Sequence, residues 1–276
     1  MDILRFTSNP KIIIHECAII KLDSWWQNYT WKDPYWRFYY NNTNNSSLLI
    51  NGTRHYLQNN TVYLIPPNLE FRGELNGPVT HFYIHFHMEG NFCPIAHKLI
   101  EINLKPNLKS IISKLSYDLT NSTVPKAKMI FLTQQLILAA MIEFPDNYYQ
   151  NKLIDPRITK INNHISKNIS RKILNFELAQ MVQMETTSFV RFFKRSTGLS
   201  PQEYIMEKKI EKACLMLHFS TMSIEEIALK MGFCDRYHFS CFFKKIRLIS
   251  PARFRKNHLH SAVNITEFPE LNGDSS

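Results

Sequence analysis

No apolar run in this chain is long enough to cross a membrane as a helix. The longest, Leu136–Ile142, falls far below the ~18 residues that a span needs. There is no CxxC pair. Five cysteines (Cys17, Cys93, Cys214, Cys234 and Cys241) are odd in number and scattered, which indicates neither a zinc finger nor a disulfide framework. Free thiols fit a reducing compartment. The opening MDILRFTSNPKIII is too polar for a secretion signal, so the expected location is the cytoplasm. The Asn-x-Ser/Thr triplets, such as Asn51-Gly52-Thr53, then read as by-products of an asparagine-rich composition. Acid is scarce where base is plentiful. Residues 155–260 hold 19 Lys/Arg against 9 Asp/Glu, whereas residues 1–154 hold 14 against 11, and the tail 261–276 has no Lys or Arg and 3 acids. The net charge of +10 thus belongs to the second half, and a basic domain is an electrostatic match for nucleic acid.

A length of 276 residues suggests about two domains. The basic half contains a repeat. FVRFFKRSTGLSPQEY at 189–204 is written again as FSCFFKKIRLISPARF at 239–254, with six of sixteen positions matching at an offset of 50: Phe189/Phe239, Phe192/Phe242, Phe193/Phe243, Lys194/Lys244, Ser200/Ser250 and Pro201/Pro251. Such an offset calls for two copies of one supersecondary unit. A short amphipathic stretch precedes each copy, LAQMVQ at 178–183 and IALKMG at 227–232. Helix, tight turn and basic helix is the outline of a helix-turn-helix.

The first ninety residues have the look of β structure. Trp36–Tyr40, Ser47–Ile50, Thr53–Leu57 and Thr61–Ile65 are short aromatic or β-branched runs separated by turn clusters, and Asn51-Gly52 is a hairpin signal. Strands at this spacing predict an antiparallel sandwich or small barrel. In Thr80–Met88, Phe82, Ile84, Phe86 and Met88 alternate with His81, Tyr83, His85 and His87. One set suits a core and the other a cavity. His85-x-His87 has a spacing found in metal sites of β-barrel proteins. All four tryptophans, Trp25, Trp26, Trp31 and Trp36, fall within twelve residues, a cluster that can stack on a flat or apolar ligand or pack a core. Arg37 and Tyr39 share a strand face opposite Trp36, Phe38 and Tyr40.

From about Ile95 the periodicity predicts helix, over Pro106–Leu119 and Pro125–Phe144. The second of these is apolar over a wide arc, suited to packing on the sheet or on a second subunit. Residues 145–153 are the expected linker. Beyond it, Asp155-Pro156 and Asn175 read as helix starts, Ser200-Pro201-Gln202-Glu203 and Ser223-Ile224-Glu225-Glu226 as capping boxes, Asp235 as a cap and Gly198 as a helix end.

FFKRSTGLSPQEYI, IEEIALKMGF, DRYHFSCFFKK and SPARFR, in that order and spacing, resemble the AraC-type DNA-binding domain: two helix-turn-helix units joined by one long helix. INGTRHYLQNNTVYLIPPN followed by HFYIHFHM resembles, more weakly, the cupin-like effector domain of such regulators. The resemblance implies an α+β protein of two domains. Residues 1–95 would be an antiparallel β-barrel or jelly-roll, 96–150 a helical dimerisation segment and linker, 151–260 an all-α double helix-turn-helix domain, and 261–276 a flexible tail. Thr187, Val190 and Arg191 would read bases in the first unit, and Arg236, Tyr237, Ser240 and Cys241 in the second, with the first copy reading more and the second anchoring more. Lys194, Arg195, Lys244, Lys245 and the helix N-termini would hold phosphates. His81 and Tyr83, with Arg37 and Trp36 behind them, would face a small effector, for which a sugar is the usual inference. Implied partners are double-stranded DNA, a second copy of the chain, and RNA polymerase if the protein activates. No cofactor, catalytic residue, metal or membrane is implied, and the setting is a bacterial nucleoid. Two other readings stay open at this point: a cupin-type metal enzyme fused to a DNA-binding domain, and a regulator whose barrel only dimerises. Gln183 and Leu248 depart from the family pattern, in which the first unit's turn has glycine and copy one has Gly198.

Overall fold

The computed structural model describes residues 11–89, 97–120, 124–148 and 155–259, which fall into two compact units that divide near residue 150. The expected tail at 261–276 and most of the linker lie outside the described residues. Among the described residues, no helix is long and apolar enough to cross a membrane.

The first unit contains strands β1 (Lys11–Leu22), β2 (Thr30–Trp31), β3 (Trp36–Asn41), β4 (Ser46–Ile50), β5 (Thr53–Leu57), β6 (Thr61–Ile65), β7 (Phe71–Leu75), β8 (Val79–Glu89) and β9 (Ile100–Asn103). They form two antiparallel sheets, β1-β8-β3-β6-β9 and β2-β7-β4-β5, so the architecture is a jelly-roll-like sandwich and not a closed barrel. The turn between β4 and β5 has both Asn51 and Gly52 at positive φ, 49° and 79°, as a two-residue hairpin with native twist requires. Helices α1 (Pro106–Thr120) and α2 (Lys126–Ile142) cover the five-stranded sheet.

The pleat sorts side chains into two cores. Phe82, Ile84 and Phe86 of β8 and Trp36, Phe38 and Tyr40 of β3 meet Leu108, Ile112, Leu136 and Ile137 of the helices. Tyr39 and Tyr83 face the other way, towards Trp26, Trp31, Leu48 and Phe71 between the sheets. Two strands interrupt the sequence-based outline. β1 hides its alternation because a bulge between Ile14 and Glu16 shifts its register against β8. β9 lies where helix was expected, because the two-residue alternation of IEIN buries Ile100 and Ile102 on one face as it pairs with β6, Val62 opposite Ile102.

The second unit is all helix: α3 (Pro156–Lys167), α4 (Asn175–Met181), α5 (Thr186–Thr197), α6 (Pro201–Phe219), α7 (Ile224–Lys230), α8 (Arg236–Arg247) and α9 (Pro251–Leu259). The Asp155 carboxylate caps α3, Ser200 and Glu203 form a capping box on α6, as do Ser223 and Glu226 on α7, and Asp235 caps α8. Asn175 does not cap α4. Leu174 holds that position without a side-chain bond, and the Asn175 Oδ1 accepts instead from Gln202 Nε2 at 2.8 Å.

Two hydrophobic clusters hold this unit. Phe189, Phe192 and Phe193 pack with α3, α4 and Ile205, while Phe239 and Phe243 pack with Ile227, Ala228, Ile210, Ala213, Cys214 and Leu217. Helix α6 thus gives its first turns to one core and the remainder to the other. Phe242, expected in the second core, is only half-buried and lies edge-on to His238, with ring centroids 5.0 Å apart.

Candidate functional site

Each helix-turn-helix has a short first helix (α4 or α7), a turn, and a longer second helix (α5 or α8). The first turn reverses at Gln183, φ 55°, and the second at Gly232, φ 73°. Both longer helices end on a left-handed residue, Gly198 at 82° and Leu248 at 64°. The two departures from the family pattern therefore keep the backbone shape and carry its strain on a side-chain-bearing residue. The Gln183 N–H is satisfied by Gln180 O and the Leu248 N–H by Lys244 O.

A lysine fastens each turn. Lys160 Nζ on α3 donates to Met181 O at 2.8 Å, and Lys209 Nζ on α6 donates to Met231 O at 2.7 Å. Each thereby satisfies a carbonyl at the end of the first helix of its unit. Lys160 is exposed, whereas Lys209 is buried with its pKa lowered by burial, and its ammonium lies 5.7 Å from the Phe233 ring centroid. The repeat thus extends back to the preceding helix. These two lysines were missed from sequence, although they stand one residue short of the 50-residue offset.

Helices α5 and α8 contain no acidic residue. Thr187, Arg191, Lys194 and Arg195 of α5 are exposed, as are Arg236, Tyr237, Cys241, Lys244 and Lys245 of α8; Val190 and Ser240 are half-buried, and Val190 also packs on the first core. The phenylalanine face of each helix therefore leaves a polar, basic face outward. At the N-termini of these two helices a side-chain carboxylate takes some of the backbone amides. The Glu185 carboxylate accepts from Thr187 N and Ser188 N, and that of Asp235 accepts from His238 N. The backbone donors hold both carboxyls below their usual pKa. A carboxylate thus shares the backbone amides at the N-termini of α5 and α8, where phosphates were expected. Glu203, on the first turn of α6, has its pKa lowered by its bonds to Ser200 and also by the charges of Lys194 and Lys245.

The first unit holds a cavity between its sheets, lined by Ile20, Leu22, Trp25, Trp26, Trp31, Arg37, Tyr39, His81, Tyr83 and His85. His81, Tyr83 and Arg37 are thus brought together. Trp36 is not: it projects from the opposite face of β3 and packs against Phe86 and Phe144, with centroids 6.3 and 6.1 Å apart, because neighbouring residues on a strand point to opposite sides. Trp25, Trp26 and Trp31 supply the indole walls instead. Arg37 is buried and pairs with the Asp33 carboxylate. Its Nη1 also donates to Tyr39 Oη at 2.7 Å and lies 3.0 Å from His85 Nε2. Burial holds the His81 pKa well below its usual value, so that ring is neutral, and Tyr83 donates to Glu16 Oε1 at 2.8 Å. His85 and His87 have different partners: His85 Nδ1 is 3.2 Å from Glu16 Oε2, and His87 Nδ1 is 3.0 Å from His15 Nε2.

Two helix-turn-helix units on a shared helix, each with a basic outward face, define a DNA-binding domain, and comparison with known proteins agrees. Residues 178–257 match the family described as "Helix-turn-helix domain". The transposon Tn10 TetD protein of Escherichia coli is 32% identical over 95 residues, covering 34% of this chain and 69% of that one. The transcriptional activator RhaS of Klebsiella pneumoniae is 24% identical over 170 residues, 61% of this chain and 59% of that one. The first relatives in rank are matched over only 26–59% of their own length. Among solved structures, ToxT from Vibrio cholerae superposes with a TM-score of 0.58 over 91% of this chain and 99% of that chain, at 12% identity, which is a likeness of fold. The chain belongs to the AraC family of transcriptional regulators.

Proposed function

We propose that the protein is a cytoplasmic, sequence-specific DNA-binding regulator of transcription whose N-terminal sandwich binds a small effector. The observation that carries the DNA-binding part is the pair of acid-free helices α5 and α8, each fixed by its phenylalanines with arginine and lysine outward. Arg191 and Arg236 suit bidentate bonding to guanine edges, and Thr187, Val190, Tyr237, Ser240 and Cys241 lie beside them as further base contacts. Lys194, Arg195, Lys244 and Lys245 set the register on phosphates.

The cavity beside His81, Tyr83 and Arg37 supports the effector part. ToxT, of the same fold, has been solved with an unsaturated fatty acid bound. For this chain a sugar remains the occupant that the family resemblance implies. Residues 1–150 would act as the effector and dimerisation part and 151–260 as the DNA-binding part. Homodimerisation is supported by α2, whose Phe131, Leu138 and Ile142 are exposed at helical spacings that place them on one face. RNA polymerase is the further partner if the protein activates, and the nucleoid its place of action.

The test is binding to DNA selected from a random pool. Log affinity should fall with log salt by about 0.9 per phosphate contact, and Arg191→Ala should lose discrimination at one base pair by about 1–3 kcal/mol. Selection that enriches no sequence would refute the reading.

A further inference from the structure

The two reading helices are joined by more than the shared helix α6. We propose, on the reading that α5 and α8 both read DNA, that the connection between α3 and α4 is a strut that fixes their separation, and that Gln202 and Lys209 are the positioning residues that fasten it along α6. The operator is then a pair of boxes at one fixed spacing.

A single helix would leave that spacing soft. α6 passes from the core of the first helix-turn-helix at Ile205 to the core of the second at Ile210. Long helices are rarely straight. A bend of about 20° at this crossing, carried over half of the ~34 Å between adjacent major grooves, moves a reading helix by roughly 6 Å. That is nearly two base-pair steps of ~3.4 Å, so the two boxes could be read at several spacings.

The connection between α3 and α4 braces the crossing. Its Ile169 and Ile173 are buried in the core of the first helix-turn-helix. Between them, the Ser170 carbonyl oxygen lies so close to Gly232 that a Cβ there would run into it. Gly232 is flanked by Met231 and Phe233, both buried in the core of the second helix-turn-helix. Backbone anchored in one core thus touches backbone anchored in the other. α6 fastens both ends of the brace. Gln202 Nε2, on its first turn, donates to Ile173 O at 3.0 Å and to Asn175 Oδ1 at 2.8 Å. About 10 Å further along the helix, Lys209 Nζ donates to Met231 O at 2.7 Å and lies 3.1 Å from where a Cβ of Gly232 would be. Lys209 is buried, so leaving its ammonium without this acceptor is costly. α6, the connection and the second turn therefore close a triangle. The matching Lys160 donates to Met181 O inside the first helix-turn-helix and closes none.

The experiment measures binding of the full chain to its selected DNA and to versions with one base pair inserted or removed between the two boxes. Lys209→Met keeps the stem and removes the donor, and Gln202→Ala alters an exposed position. Each should reduce the loss on a changed spacing from about tenfold or more in the parent to about threefold or less. Lys160→Met should keep the parent's preference. A ratio between spacings is not moved by a uniform loss of stability or affinity. Urea unfolding at 222 nm checks that each variant is folded, and Gln202→Ala carries the test if Lys209→Met is not. If the folded variants keep the parent's preference, if Lys160→Met loses it as well, or if the parent binds all three spacings equally, the strut is overturned and the DNA-binding reading stands. Selection that enriches no sequence overturns both.

Discussion

Replacing Gly232 with alanine tests the packing of the second helix-turn-helix more sharply than any core truncation, because a matched control exists at Gly198. Both glycines are left-handed, at φ 73° and 82°. A Cβ at Gly198 meets nothing within 4 Å, whereas one at Gly232 runs into the Ser170 carbonyl oxygen, lies 2.9 Å from its carbon and 3.1 Å from Lys209 Nζ. Left-handed strain costs about 1–2 kcal/mol, offset by about 0.4–1 kcal/mol from the less flexible unfolded chain. Gly198→Ala should therefore cost about 0.5–1 kcal/mol. Gly232→Ala adds the overpacking of a backbone contact, about 1–3 kcal/mol, for a total of about 2–4 kcal/mol. All four tryptophans lie in the first unit, so fluorescence reports that unit alone, and the second is followed in urea by the helical signal at 222 nm. Equal costs at the two positions would refute the contact between the α7–α8 turn and Ser170.

Phe193 is fully buried, and its replacement by alanine should cost about 3–5 kcal/mol. Phe192 is slightly exposed, under the Arg157 guanidinium at 4.3 Å, and should cost less; the same urea transition at 222 nm ranks the two. Leu248→Gly should stabilise the second unit by about 0.5–1 kcal/mol, since relief of left-handed strain outweighs the added unfolded-state freedom and the leucine is exposed. A lower 222 nm midpoint would contradict this. Burial holds His81 well below its ordinary pKa and His15 down to about 4. The unfolded chain takes up protons below about pH 6.5 that these rings refuse when folded, so stability of the first unit is lost as pH falls from there. The fluorescence-detected melting temperature should drop between pH 7 and 4.5, with a shallower slope in His81→Asn; a flat profile in the parent would contradict the buried neutral imidazoles.

What was legible in the sequence was local. Asp155, Ser200, Ser223 and Asp235 cap their helices because a cap depends only on the residues of one turn. Asn51-Gly52 makes its hairpin for the same reason. The alternation in β8 placed His81 and Tyr83 on the face opposite Phe82 and Ile84, and the cavity lies on that side. What was not legible depended on partners distant in the chain. The bulge near His15 broke the alternation of β1, and Lys160 and Lys209 gain meaning only from carbonyls 21 and 22 residues away. One reading from sequence conflicted with information already present: Trp36 could not share a cavity-facing side of β3 with Arg37 one residue away.

The central claim, that α5 and α8 each read DNA from one rigid scaffold, is tested most directly by methylation interference on selected DNA with the parent, Arg191→Ala and Arg236→Ala proteins. The account predicts two clusters of contacted guanines about one helical turn, ~10 base pairs, apart, with Arg191→Ala erasing contacts in one cluster and Arg236→Ala in the other. A single cluster, or loss of the same contacts in both variants, would contradict it.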